Sequence, residues 1–152
     1  MTSKRTGCTP ADLEDALTEA SQLCNTRGGD LTPQRKKVLA ILLQAQGPVK
    51  AYDMLGQLRD DRDAKPQTIY RALDFLIEMG LVHRIASLQA FTPCQHWGHP
   101  HTAALLVCDE CQTVAELDAD DVMASLNMEA SSVSFKPADA VIEVHGKCPK
   151  CQ

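Results

Sequence analysis

Apolar residues recur at helical spacing through the first half of the chain and shift toward alternation in the second. Leu13, Ala16, Leu17, Ala20, Leu23 and Cys24 share one helical face. Thr9-Pro10-Ala11-Asp12 precedes them with an N-cap, a first-turn proline and an acid. Gly28-Gly29 ends that helix. Leu31-Thr32-Pro33 repeats the start signal. Val38, Leu39, Ile41, Leu42 and Leu43 then mark a more buried helix, stopped by Gly47-Pro48. A short third helix is predicted over 51–59 with Met54, Leu55 and Leu58 inward. After a charged turn, Pro66 opens a fourth helix, with Ile69, Leu73, Leu76 and Ile77 inward and Gly80 as its stop.

Beyond Gly80 the period becomes two. Residues 81–85 and 89–92 read as a β-hairpin. Helices followed by a hairpin predict a winged helix-turn-helix over 1–92. Residues 93–102, rich in Pro, Gly and His, read as a hinge. From 103 to 152 the pattern predicts strands at 103–108, 113–117, 133–135 and 141–145, with a helix over 120–130. The fold class is therefore α+β: an N-terminal winged helix-turn-helix and a small C-terminal α/β domain.

Composition narrows the setting. With 152 residues, 44% hydrophobic and 23% charged, the chain has the makeup of an ordinary globular protein. No apolar run reaches the roughly 18 residues of a membrane span, and the first 20 residues lack the apolar stretch of a signal peptide. A cytoplasmic location is expected, and there seven cysteines argue for metal ligands or free thiols over disulfides. Net charge is −5 but unevenly placed. Residues 1–92 hold 12 Lys and Arg against 11 Asp and Glu, whereas 93–152 hold 3 against 9. The first part can present a basic face, and the second can attract cations.

The strongest chemical signal is a pair of Cys-x-x-Cys knuckles, Cys108/Cys111 and Cys148/Cys151. Together they supply four thiolates for a closed tetrahedral zinc site. A thin lobe with few aromatics gains folding energy from such a clamp. The alternatives are surface thiols or a redox pair. A redox Cys-x-x-Cys normally opens a helix, whereas Cys108-Asp109-Glu110-Cys111 falls in a turn between predicted strands.

A second constellation comprises His83, Cys94, His96, His99, His101 and Glu116. Imidazole with thiolate favours zinc or another borderline metal. A closed site takes about four ligands, so not all six belong to it, and His96 and His99 are the weaker candidates. Cys24 lies on the apolar face of the first helix and reads as core, and Cys8 reads as part of a flexible terminus.

The fourth helix is the candidate DNA reader. Gln67, Thr68, Tyr70 and Arg71 occupy its first turns, the end that enters the major groove in helix-turn-helix proteins. Arg pairs with guanine and Gln with adenine. The alternative for Arg71 is a surface ion pair with Asp74 or Glu78. Tyr52 either points at a base or phosphate or packs against the fourth helix. Arg35, Lys36, Lys37, Lys50 and Lys65 are candidates for phosphate contact. No His-Glu-x-x-His motif or nucleophile triad stands out, which argues against an enzyme.

These motifs together resemble the ferric uptake regulator family. The residues that carry the likeness are LTPQR (31–35), AYDML (51–55), KPQTIYRALDFL (65–76), GLVHRI (80–85), CDEC (108–111) and HGKCPKC (145–151). Cys94 just after the hairpin makes the chain most similar to the zinc-sensing members. The resemblance implies a homodimeric, metal-activated repressor of a palindromic AT-rich operator, with the C-terminal domain as the dimerisation domain. It implies structural zinc at Cys108, Cys111, Cys148 and Cys151. It implies regulatory zinc at His83, Cys94, His101 and Glu116, two zinc ions per protomer. Iron-type relatives carry a His-rich run before the first knuckle. Here Ala104-Leu105-Leu106-Val107 stands in that place, so a third site is not expected. A regulator of iron, manganese, nickel or peroxide response is the alternative within the family, and a zinc-stapled interaction module the alternative outside it.

Overall fold

The computed structural model describes residues 9–62 and 64–152, so Cys8 lies outside the described residues. The chain divides into two compact units, the first ending at Gly98 and the second running from His99 to Gln152.

The first unit opens with α1 (Pro10–Thr26), whose Thr9 side chain accepts from the Asp12 amide at 3.3 Å. α2 (Pro33–Gln44) starts the same way, with Thr32 as N-cap and proline in its first turn. A two-residue strand, β1 (Val49–Lys50), leads into α3 (Ala51–Gln57), then α4 (Pro66–Glu78) and the hairpin of β2 (Val82–Ile85) and β3 (Ala90–Pro93). The strands form an antiparallel sheet in the order β1-β3-β2. Val38, Leu39, Leu42, Leu43, Met54, Ile69, Leu73 and Leu76 are fully buried where the helices meet. Each contributes about 1.5–3 kcal/mol relative to exposure.

The first unit follows the pattern in the sequence, apart from α3 ending at Gln57 instead of residue 59 and three larger differences. Ile77, expected inward, is exposed, because the buried stripe of α4 is already filled by Ile69, Ala72, Leu73 and Leu76. β1 was not expected; two residues are too few to show a period. Cys94 and Trp97, expected in the hinge, belong to the core of the first unit at 0% and 5% exposure.

The second unit is built on β4 (Ala103–Cys108), β5 (Val114–Asp118), α5 (Asp120–Ser132) and β6 (Ile142–Gly146), with sheet order β5-β4-β6. β5 is antiparallel to β4, and β6, returning after α5, is parallel to it. The strand expected at 133–135 is instead the end of α5. Ser134 adopts φ +60, its amide donates to the Ser131 carbonyl, and the Phe135 amide reaches back to the Ala130 carbonyl at 2.9 Å. That is a Schellman cap, whose apolar-polar-apolar sequence imitates a strand. No residue of α5 is buried, and Val122, Leu126 and Met128 stand exposed. Among the described residues, no helix is long and apolar enough to cross a membrane.

Candidate metal centres and the recognition helix

Strand direction brings the two knuckles together. β4 and β6 run parallel with Cys108 in register with Gly146, so both strands deliver their cysteines at the same end of the sheet. The Asp109 amide donates to the Gly146 carbonyl at 2.9 Å and fixes that junction. The Gln112 amide donates to the Cys108 carbonyl at 2.9 Å, with Gln112 itself at φ +57, which closes the first turn. The Cys151 amide closes the second on the Cys148 carbonyl, also at 2.9 Å.

The four sulfurs all lie within 4.8 Å of one another, and Cys111 Sγ is 3.7 Å from Cys148 Sγ. A tetrahedron with metal–sulfur bonds of about 2.3 Å has edges of about 3.8 Å. The geometry and the all-sulfur donor set both fit zinc. The Cys148 amide donates to Cys108 Sγ at 3.3 Å. Hydrogen bonds from the Cys111 amide, and then from that of Cys148, hold the Cys108 thiol down at about 6. Cys111 is lowered too, chiefly by its side-chain hydrogen bond with Thr113. Cys151 is pushed up to about 12 by its hydrogen bonds with the Cys148 and Cys111 side chains. Four sulfurs this close cannot all ionise without a counter-charge, and a dication supplies it.

The other expected metal ligands fall in two pairs, one in each unit. In the first unit, His83 stands on β2 opposite Thr92 of β3, and Cys94 follows β3 directly. A ring nitrogen of His83 and Cys94 Sγ lie within 4.8 Å of each other. The Cys94 amide donates to the Leu81 carbonyl at 2.9 Å, one step beyond the end of the hairpin ladder. Its sulfur accepts from the His96 amide at 3.3 Å. His96 thus serves this pair through its backbone.

In the second unit, His101 Nε2 is 2.8 Å from Glu116 Oε1, while His101 Nδ1 is 2.8 Å from the His99 carbonyl. The carbonyl can only accept, so Nδ1–H donates to it and Nε2 faces the carboxylate. Burial pulls the imidazole pKa down, but hydrogen bonds with His99 and Glu116 and the nearby acids outweigh it, so His101 is raised. Glu116 sits on β5 opposite Leu105 of β4. The Thr102 amide bonds Asp120 Oδ1 at 2.8 Å, which anchors the segment carrying His101.

α4 buries Ile69, Ala72, Leu73 and Leu76 and turns Gln67, Tyr70 and Arg71 outward. Tyr70 is 53% exposed and Tyr52, on α3, is 83% exposed, so the packing alternative for Tyr52 does not hold. Thr68 lines a polar depression of about 420 Å³ between the starts of α2 and α4, together with Lys37 and Lys65. Of the cations expected on phosphate, Arg35 is engaged internally. Its guanidinium lies 3.6 Å from the centre of the Phe75 ring and donates to the Asp30 carbonyl at 2.6 Å. Lys37 pairs with Asp61 at 2.5 Å.

Sequence reasoning missed Trp97. Its indole Nε1–H donates to the Leu81 carbonyl at 3.1 Å, the same oxygen that accepts from Cys94. The available signal was a lone tryptophan three residues from a candidate ligand.

A sequence profile of the ferric uptake regulator family matches residues 26–145. The zinc uptake regulation protein of Escherichia coli (strain K12) is 39% identical over 140 residues, 91% of this chain and 82% of that protein. A solved structure of a zinc uptake regulator complexed with zinc and DNA is similar with a TM-score of 0.86 and 38% identity, over 94% of this chain and 95% of that one. The crystal structure of holo XcZur is similar with a TM-score of 0.83 and 39% identity, over 90% and 96% of the two chains.

Proposed function

Because this chain belongs to the ferric uptake regulator family, we propose that it is a zinc-responsive transcriptional repressor, which binds a palindromic AT-rich operator as a homodimer and controls genes of zinc uptake. It is a regulator and not an enzyme, and it acts in the cytoplasm, where its operator lies. The observation that carries the choice of metal is Cys94, a thiol seated beside His83 at the end of the hairpin. A thiol with imidazole favours zinc over the harder cations, and the likeness to zinc regulators supports the same choice.

The regulatory ligands are His83 and Cys94 from the first unit with His101 and Glu116 from the second. Neither pair alone completes a closed four-coordinate site. Occupancy therefore selects a conformer in which both pairs face one ion, and that conformer presents two recognition helices at operator spacing. The linkage is reciprocal: operator tightens zinc binding by the factor by which zinc tightens operator binding. A 100-fold effect needs a coupling of only about 2.7 kcal/mol.

Cys108, Cys111, Cys148 and Cys151 hold the structural zinc and keep the second unit folded. That unit dimerises. Leu117, Val122, Val144 and Phe135 are all about half exposed or more, and a second copy covers them. The first unit reads DNA: Gln67, Thr68, Tyr70 and Arg71 of α4, with Tyr52 of α3, contact bases and phosphates. A hinge shorter than 93–102 is part of this reading, supported by the packing of Cys94 and Trp97 in the first unit.

A gel shift with a palindromic AT-rich duplex, under buffered free zinc, iron(II), manganese(II) and nickel(II), tests this reading. Retardation at the lowest free concentration with zinc is expected. Activation by another metal at lower free concentration, or no retardation with any, overturns it.

A further inference from the structure

The Leu81 carbonyl is a joint. It accepts from the Cys94 amide at 2.9 Å and from Trp97 Nε1–H at 3.1 Å, and a carbonyl has two lone pairs for two donors. Leu81 and Cys94 are fully buried, and Trp97 is 5% exposed. His83 follows two residues after Leu81 on the same chain, with its ring beside Cys94 Sγ. Both donors of the first unit therefore hang from one peptide group, and the indole is its second hold.

The segment from Cys94 to Trp97 is not a regular strand or helix. β3 ends at Pro93, so beyond the Cys94 amide no sheet ladder holds it. Local and tertiary contacts do so instead, among them Gln95 Nε2–H to the Pro93 carbonyl at 3.0 Å. The His96 amide points at the sulfur from within the segment, and the Trp97 ring inserts in the core of the first unit and ties the far end back to Leu81. Gly98, at φ +83, then turns the chain away. Without the indole hydrogen bond the far end of the segment loses its hold on the Leu81 carbonyl, the acceptor that also seats Cys94 beside His83.

We propose that Trp97 is a positioning residue for the regulatory metal pair: its indole N–H fixes Cys94 against His83 and so sets zinc affinity. This rests on the reading of His83 and Cys94 as regulatory ligands. The alternative role for a buried tryptophan is to fill the core, which the ring does whether or not its N–H donates.

The test uses the full-length protein with its cysteine-cluster zinc in place. Trp97→Phe keeps an aromatic ring and removes the donor. Zinc affinity is read by competition with a chromophoric chelator, and the thiolate-to-metal charge-transfer band is read after cobalt(II) loading of the regulatory site. Loss of a hydrogen bond that orients a ligand lowers metal affinity by about 10- to 100-fold. The expected result for Trp97→Phe is a loss toward the lower end of that range, with a weakened or shifted cobalt(II) thiolate band and an unfolding midpoint near that of the parent. Unchanged affinity and an unchanged band overturn the proposal. If Trp97→Phe does not fold, replacement of the indole by its benzothiophene isostere removes the N–H at constant shape, and the same two readings decide. A parent that binds only one zinc per chain overturns the regulatory reading itself. A parent that binds two, with a variant that binds the second equally well, overturns only the role of Trp97.

Discussion

Cys108 and Cys148 are joined before any ion is considered: the Cys148 amide donates to Cys108 Sγ at 3.3 Å. The bond exists because β4 and β6 run parallel with Cys108 opposite Gly146. The sheet therefore prearranges the cluster, and the cluster in turn holds the ends of the sheet. The unit has little buried core of its own, since α5 buries nothing and its buried apolar residues are few. Structural zinc contributes on the order of 10 kcal/mol to folding in small zinc domains. Cys111→Ser is expected to lose that zinc, the second unit and the dimer together. Metal content and sedimentation of the purified variant check it. A zinc-loaded dimer with the parent's midpoint would contradict the assignment.

Cys94→Ser separates sensing from folding. Cys94 Sγ accepts from the local His96 amide, and serine fills nearly the same volume. The variant is expected to remain a folded dimer with its cysteine-cluster zinc, and to lose zinc-dependent retardation of operator. Operator titrations at buffered zinc measure it, with circular dichroism as the control. Undiminished zinc dependence would remove Cys94 from the regulatory set.

Arg71 lies on the outward face of α4, turned away from Ile69, Ala72 and Leu73. Exposed helix positions contribute little to stability, so Arg71→Ala is expected to move it by less than about 0.5 kcal/mol. Its loss on operator is larger, about 1–3 kcal/mol if it pairs with a guanine. Binding isotherms on the operator and on a scrambled duplex distinguish base reading from phosphate contact. Equal weakening on both duplexes would place Arg71 on the backbone.

The sequence was most legible where one physical rule acts alone. Each of the three longer helices of the first unit begins with a proline in its first turn and carries a clear apolar stripe. The cysteine knuckles are equally plain, because zinc accepts so few donor types. Legibility fell where two rules share a residue pattern. Val133-Ser134-Phe135 alternates like a strand, yet its backbone is a Schellman cap with serine in the left-handed position. The Pro-, Gly- and His-rich stretch after β3 has hinge composition, yet Trp97 folds its first part into the core. Composition there reports the chain's freedom to turn, and the tertiary hydrogen bond to Leu81 decides where it stops.

Gly80 controls how α4 hands the chain to the hairpin that carries His83. Its φ is +70, its amide donates to the Ile77 carbonyl, and the Leu81 amide returns to the Leu76 carbonyl, both at 2.9 Å. This is a second Schellman cap, and here the left-handed residue is glycine. A Cβ at Gly80 would stand 2.8 Å from Arg27 Nη1, the group that donates to the Met79 carbonyl at the end of the same helix. Gly80→Ala therefore meets two penalties. The left-handed backbone costs about 1–2 kcal/mol for a residue with a Cβ. Arg27 must also swing away, with loss of a charge-assisted hydrogen bond that contributes about 1.5–3 kcal/mol at most. Because Arg27 is long and flexible, partial re-formation keeps the expected total near about 2–3 kcal/mol. A double-mutant cycle with Arg27→Ala separates the two. In the Arg27→Ala background the cost of Gly80→Ala should shrink to the backbone share alone, as read from denaturant unfolding of the first unit. An equal cost in both backgrounds would mean that the arginine does not couple to this turn.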